Sequence, residues 1–543
     1  MCLGIAGLVL VAQMAGCGGG GSDDGGEGAE RPVHPSFSGV SLRVGVLSTT
    51  DPAPEAFLIA VRTQQGEWMA TRQGKVEVVG IEDSAEPAPR LEAPASAGPD
   101  VLVFPADRLG DLVSAGELAP WSADQLRPLP PGGTAALSID TREDEGPSVG
   151  SAEEDPLAFA AILPPLRDDW VRDRNRVMAL PIGTSALVLV YRRDAFESDA
   201  NRKAAAAAGV SLTAPESYEQ LDALAKFFHG RDWNGDGRPD AGLAVALGED
   251  AAEGVADAVF LARAASLGFH PDHFRLFTDG LTGASRVATP PFVEALEKTA
   301  ALRSVGPEGA EGFDAAAARA AYREGRAALL IDRAERLGDW SDPRSPVPSA
   351  VVPLPGSSRR YDPGRDAWTD LAAEPASDSE PTPSGRSSSS SSSSSSRLNR
   401  VTFLLRGGGW LVGVRASSPS QAAAFDLAAY LASPETSLRL TSDRRTPALP
   451  VRTNQIGADR TDPRLDVRGW GRAVARTLTG ERLASAPREA GSRPHMAALR
   501  RARLDVMAGR RDAKSALEEA ARAWGPPTPP PSGSTTPPLT TPR

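Results

Sequence analysis

At 543 residues the chain exceeds the size at which one hydrophobic core normally stops growing, which predicts two lobes or domains and excludes a single small domain. Its 53 glycines and 48 prolines concentrate in a few segments, and a globular remainder is left when those are set aside. A formal charge of −11 without clustered Lys and Arg excludes the basic footprint that a nucleic-acid partner requires.

The chain opens "MCLGIAGLVLVAQMAGC", an apolar stretch too short to cross the ~30 Å hydrocarbon core of a bilayer and suited to the apolar region of a signal peptide. Small residues ahead of Cys17 resemble the lipobox of bacterial lipoproteins, which would make Cys17 the lipidated first residue of the mature chain. The alternative is an ordinary signal peptide cut near Ala15 or Gly16. The other cysteine, Cys2, lies in the segment removed, so the mature chain is expected to have no intrachain disulfide and no cysteine-based metal or catalytic site. Residues 18–39 are rich in Gly, Asp, Glu and Pro and predict a disordered tether.

In "VSLRVGVLS", Leu42, Val44 and Val46 alternate with polar or small residues, the period of a strand. Further strands are predicted at "DVLVFPA" from Asp100 and "ALVLVYR" from Ala186, separated by an acidic, structureless loop over 141–157. In "SYEQLDALAKFF" Ser217 is placed as an N-cap and Gln220 as its capping-box partner, with Leu221, Leu224, Ala225 and Phe228 on one helical face. The loop "DWNGDGRPD" follows. Asp232, Asn234, Asp236 and Asp240 hold positions 1, 3, 5 and 9 of a calcium loop, with Gly237 at the turn and the Arg238 carbonyl at position 7. Position 12 is Leu243, so the closing carboxylate is missing unless Glu249 or Asp250 substitutes, and a polar turn held by its own side chains is the competing reading. "HPDH", His270 to His273, lacks companions at ligand spacing and predicts a turn rather than a metal site.

Beyond it, "AALLID" from Ala327 predicts a strand, the serine run within 373–397 a disordered insertion, and the Pro/Thr-rich 525–543 a disordered tail. "FLLRGGGWLVGV", Phe403 to Val414, sets three glycines ahead of a strand. A phosphate loop follows a strand and opens a helix, so this order excludes that reading. A turn with close backbone approach and a ligand platform edged by Trp410 remain, with Trp410 as ordinary core the competing account. In "SSPSQAAAFDLAAYLASPE" Ser418 is expected to cap a helix, with Pro419 in its first turn and Gln421 completing the box. Strands alternate with helices throughout, which predicts an α/β fold. Nucleophilic catalysis finds no support, because "GTSAL" around Ser185 lacks the second glycine of a nucleophile elbow.

In order along the chain, "DVLVFPADRLGDLVSAGELAPW", "RVMALPIGTSALVLVYRRDAFE", "APESYEQLDALAKFF", "YREGRAALLID", "VVPLPG", "GGGWLVGVRASSPSQAAAFDLAAYLASPE" and "TPALPVR" resemble extracellular solute-binding proteins of the bacterial carbohydrate ABC-importer class. The resemblance runs from about Leu42 to Ala523, insertions excepted. It implies a periplasmic-binding-protein-like type II fold: two α/β lobes, a hinge, and an interlobe ligand cleft that closes on its ligand. Lobe 1 would take 40–178 and 346–437, lobe 2 would take 179–345 and 438–524.

It further implies a monomeric, non-catalytic receptor, exported and lipid-anchored to the cell envelope, that delivers a carbohydrate to the transmembrane subunits of an ABC permease. No cofactor is required, and calcium at the Asp232 loop would be structural. Position by position, the resemblance implies ligand contacts from Ser48, Thr49 and Asp51, from Phe104, Asp107 and Arg108, from Thr184 and Ser185, from Asp332, Arg333 and Trp340, and from Trp410 at the cleft rim. Carboxylates and Arg suit sugar hydroxyls, and an indole face suits the apolar face of a pyranose. Two alternatives stay open: the same fold taking a polyol or glycerol phosphate, and a surface lipoprotein serving as sensor or structural partner without transport. A secreted hydrolase is a third.

Overall fold

The computed structural model describes residues 35–48, 53–82, 98–126, 157–249, 254–272, 275–339, 347–371, 398–405, 408–442, 448–456, 467–480 and 482–524. The signal peptide with Cys17, most of the tether, Thr49, Asp51, the acidic loop short of Leu157, Trp340, the serine-rich insertion and the C-terminal tail lie outside them.

Two sheets organise the fold. In the first the order is Lys75–Glu82, Ser41–Ser48, Val101–Pro105, Trp410–Arg415 and Leu118–Ala119, and Leu180–Gly183 also pairs with Trp410–Arg415. Ser41–Ser48 runs parallel to both neighbours, while Trp410–Arg415 is antiparallel to Val101–Pro105, with Trp410 opposite Pro105 and Leu411 opposite Phe104. In the second the order is Val467–Arg468, Ser349–Pro353, Leu187–Arg192, Ala327–Arg333 and Ala241–Ala244. Its central strands are apolar on both faces: Leu187, Val188, Leu189 and Val190 are all buried. Such runs form where both faces of a sheet are covered. Helices Tyr218–Phe228 and Val255–Gly268 lie among the elements packed on this sheet, and Gln421–Ala432 packs on the first.

Helix Tyr218–Phe228 begins with the predicted capping box, Ser217 accepting from the Gln220 N–H and the Gln220 side chain from the Ser217 N–H. The second expected box does not form. Helix Gln421–Ala432 starts with no side-chain cap; Ser418 Oγ donates instead to Asp100 Oδ1 at 2.6 Å, and the Gln421 amide donates to the Arg415, Ala416 and Ser418 carbonyls. A partner distant in sequence outcompetes the local cap.

The lobe boundaries also differ from those expected. Leu180–Gly183 belongs to the first sheet and Leu187–Arg192 to the second, so the chain first crosses at Gly183–Ala186 rather than at 178. Ser349–Pro353, expected to open the return to lobe 1, pairs antiparallel with Leu187–Arg192 in the second sheet. Thr402–Leu404 pairs with Leu483–Ser485, and Phe403 lies in the second lobe's core. The return therefore comes between Leu404 and Trp410. Local pattern marks a strand, but the sheet it joins is decided by a register partner far along the chain. Among the described residues no helix is long and apolar enough to cross a membrane.

Candidate functional site

Three segments cross between the lobes, and they run against one another. Thr184 and Leu449 exchange main-chain hydrogen bonds of 2.9 and 2.6 Å, and the Leu405 N–H donates to the Ser185 carbonyl at 3.1 Å. The Ala334 N–H reaches the Ala186 carbonyl at 2.9 Å, and the Ala106 N–H reaches that of Gly409 at 2.8 Å. This packing explains the glycine run. Gly408 and Gly409 have φ of +123° and +128°, a conformation side chains rarely adopt. A Cβ on Gly409 would stand 2.1 Å from the Gly183 carbonyl oxygen, and one on Gly408 2.5 Å from the Trp170 ring. The glycines thin the chain where crossings touch.

Side chains continue the same clamp. Thr184 Oγ1 donates to the Gly408 carbonyl at 2.6 Å, and Ser185 Oγ donates to Glu335 Oε1. Thr184 and Ser185, expected at the ligand, are buried and spend their hydroxyls on the crossing.

On the first lobe, strand Val101–Pro105 ends in the turn Ala106–Arg108 and the helix Leu109–Ser114. Asp107 is partly exposed at that turn. Arg108 is wholly buried, with Nη1 3.2 Å from Asp111 Oδ2, and burial together with the nearby Arg493 charge lowers its guanidinium to about 10. Asp111 Oδ1 accepts from the Gly491 N–H at 2.9 Å, and the Gly110 N–H donates to the Arg488 carbonyl at 2.9 Å. Gly491 leads into helix Ser492–Met507, whose Leu499 and Ala502 sit in the second lobe's core, so this is a contact across the cleft. Arg108 thus supports the closing contact and offers no exposed guanidinium. Phe104 and Trp410, expected as aromatic walls, lie in the first lobe's core at 0% and 1% exposure. Ser48 ends its strand at the same edge of that sheet.

On the second lobe, strand Ala327–Arg333 ends beside the crossing. Asp332 accepts from Arg319 Nη1 at 3.0 and 3.1 Å, and Arg333 Nε stands 2.7 Å from Glu335 Oε1. Glu335 is the residue sequence reasoning missed. Its side chain has no exposed surface, one oxygen serves Ser185 and Arg333, and Oε2 has no donor among the described residues. A buried carboxylate oxygen without a donor is costly, so a hydroxyl that reached it as the lobes part would relieve it. An acid two positions after the strand's last Arg was the only signal available.

A cavity of about 960 Å³ lies elsewhere on the second lobe, lined by Tyr218, Asp222, Arg263, Glu294, Arg359 and Trp368 among others. Both of its arginines are already engaged: Arg359 pairs with Glu294 and stacks over Trp368, and Arg263 pairs with Asp222. None of the expected ligand contacts lines it.

The loop Asp232–Asp240 stands apart from the crossings. Asp232 accepts from the Gly235, Asp236 and Gly237 N–H groups at 2.7, 3.0 and 2.9 Å. Asn234 Oδ1 accepts from Asp236 N–H, and Asp236 Oδ1 from Arg238 N–H, each at 2.9 Å. Asp240 is 6% exposed. Burial and then the Asp236 and Asp232 charges push its carboxyl up to about 6, opposed by the nearby Trp233 and Asn234 main-chain amides. Leu243 is buried in the sheet, paired with Leu329, and Glu249 is exposed. Among the described residues no three His, Cys, Asp or Glu side chains are gathered closely enough to enclose a metal ion by themselves.

A family model described as bacterial extracellular solute-binding protein matches residues 68–457. No curated protein matches the sequence. Among solved structures, a maltose-bound MalE3 of T. maritima is 18% identical, with a TM-score of 0.57 over 89% of this chain and 99% of that one. A solute-binding protein of an ABC transporter from Agrobacterium radiobacter, in complex with ribitol, is 16% identical, with a TM-score of 0.58 over 90% and 98%. The GacH receptor of Streptomyces glaucescens is 16% identical, with a TM-score of 0.56 over 89% and 97%. At these identities the likeness is one of fold.

Proposed function

Because the chain belongs to the bacterial extracellular solute-binding proteins, we propose that it captures a neutral polyhydroxylated solute, a sugar or a polyol, between its lobes and hands it to an ABC permease without chemical change. The observation that carries this reading is the placement of Glu335: a buried carboxylate with an oxygen that lacks a donor among the described residues, at the segments where the lobes cross. Hydroxyl groups donate to such an oxygen, and Asp107 sits in the turn next to Ala106, whose N–H joins the crossing at the Gly409 carbonyl. By the family resemblance Ser48, Thr49, Asp51, Asp332, Arg333 and Trp340 belong to the contact set, while Trp410 backs it from the core, and the contact of Asp111 with Gly491 is made when the cleft shuts. Cys17 carries the lipid that keeps the monomeric receptor beside its permease, with the tether giving reach.

Micromolar capture corresponds to about −8 kcal/mol, within reach of a few charge-assisted hydrogen bonds after the cost of closure. A thermal-shift screen of mono- and oligosaccharides and polyols tests the reading, since bound ligand adds RT ln(1 + [L]/Kd) to stability. The expected result is saturable stabilisation without turnover, reduced at least tenfold in apparent affinity by Glu335→Gln. Stabilisation only by a phosphorylated or amino compound would overturn it.

A further inference from the structure

In the loop Asp232–Asp240 a polar turn accounts for the hydrogen bonds of Asp232, Asn234 and Asp236, each of which takes main-chain N–H groups of the loop. It accounts for Asp240 only in part, through the Trp233 and Asn234 main-chain amides beside that carboxylate. More than nine-tenths buried, this carboxylate leaves Oδ2 without a hydrogen-bond donor among the described residues. Its Oδ1 has Asn234 Nδ2 at 3.3 Å, and that same amide lies 3.5 Å from Asp236 Oδ2 and 3.1 Å from the Gly325 carbonyl. One neutral amide is thus shared between two carboxylates and a carbonyl, where the charges call for a cation. Gly235 and Gly237, at φ of +81° and +83°, let the loop fold back over this point.

We propose that the loop is a divalent-cation site selective for calcium, held by the carboxylates of Asp232, Asp236 and Asp240, the Asn234 side-chain oxygen and the Arg238 carbonyl, with water completing the shell. Hard oxygen donors from alternate positions around a glycine turn suit calcium. Magnesium needs a smaller, near-octahedral cage. The chain enters strand Ala241–Ala244 directly after Asp240, so no twelfth-position carboxylate closes the site. An open site of this kind belongs with extracellular modules, of Kd about 10⁻⁴ to 10⁻³ M. Its role is to fasten the loop to Gly325, the turn that opens strand Ala327–Arg333, and so to stiffen the strand leading to Asp332 and Glu335.

Terbium reports on the site, because buried Trp233 lies within the loop and sensitises a lanthanide bound there. The full-length protein is expected to show sensitised emission that millimolar calcium displaces and equal magnesium does not, together with a calcium-dependent rise in unfolding temperature. Asp236→Ala, at an exposed position, is expected to weaken terbium and calcium binding at least tenfold. Asp236→Asn keeps the acceptor for the Arg238 N–H, so a comparable weakening there assigns the loss to charge and not to an unfolded loop. Emission equal in parent and Asp236→Ala, displacement by magnesium as readily as by calcium, or unchanged unfolding temperature in calcium would each overturn the proposal.

Discussion

At Gly409 a single methyl group would stand 2.1 Å from the Gly183 carbonyl oxygen on a backbone with φ of +128°. Gly409→Ala therefore has no local relaxation and is expected to cost upwards of about 2 kcal/mol, read as a lower urea midpoint with unchanged slope. That a glycine run before a strand means close approach was legible in "RGGGW"; that Gly183 is what it approaches was not, since no local pattern names a partner so distant in sequence. Trp410 marks the limit more sharply. Its indole is 1% exposed among first-lobe core residues. Trp410→Ala is expected to lower ligand-free stability by about 3–5 kcal/mol. Urea unfolding with and without a stabilising solute separates the roles: unchanged ligand-free stability with lost ligand response would mark the indole as a platform instead. Glu335 was invisible for the opposite reason, because an acid in an ordinary charged stretch acquires meaning only when Ser185 and Arg333 close around it.

Helix starts show when local chemistry suffices. Ser217 and Gln220 bond each other's main chain as their spacing predicts, so Ser217→Ala should cost about 1 kcal/mol by denaturant titration. Ser418 has equal credentials in sequence and a different fate, because Asp100 offers a buried acceptor 2.6 Å away. Strand existence was legible from apolar runs at Val101, Leu187, Ala327 and Trp410, yet Ser349–Pro353 joined the opposite sheet from the one expected. The helix Leu109–Ser114 carries the clearest test of closure. A Cβ on Gly110 would meet the Arg488 carbonyl at 2.1 Å. Gly110→Val is expected to hold the lobes apart, giving a larger radius of gyration by small-angle X-ray scattering with unchanged helix content. An unchanged radius would mean that this contact does not govern the spacing of the lobes.

On the scale of the whole molecule, the ordered run of weak segment resemblances indicated a fold that the family match and the structural likenesses bear out. The order of those segments also has a consequence in time. Strand Trp410–Arg415 sits between Val101–Pro105 and Leu118–Ala119 in the first sheet, although it is made roughly 300 residues after them. At about 5–20 residues per second that is a wait of roughly 15–60 s, during which Val101–Pro105 presents a bare hydrogen-bonding edge to any strand nearby. The half of the molecule made first is thus among the last parts able to finish. Pulse-labelled hydrogen exchange during refolding should find the pairing of Ser41–Ser48 with Lys75–Glu82 protected well before the amides of Trp410–Arg415. A newly made chain accordingly stays unfinished, open to capture by a chaperone or passage through a narrow pore, until Arg415 has been added.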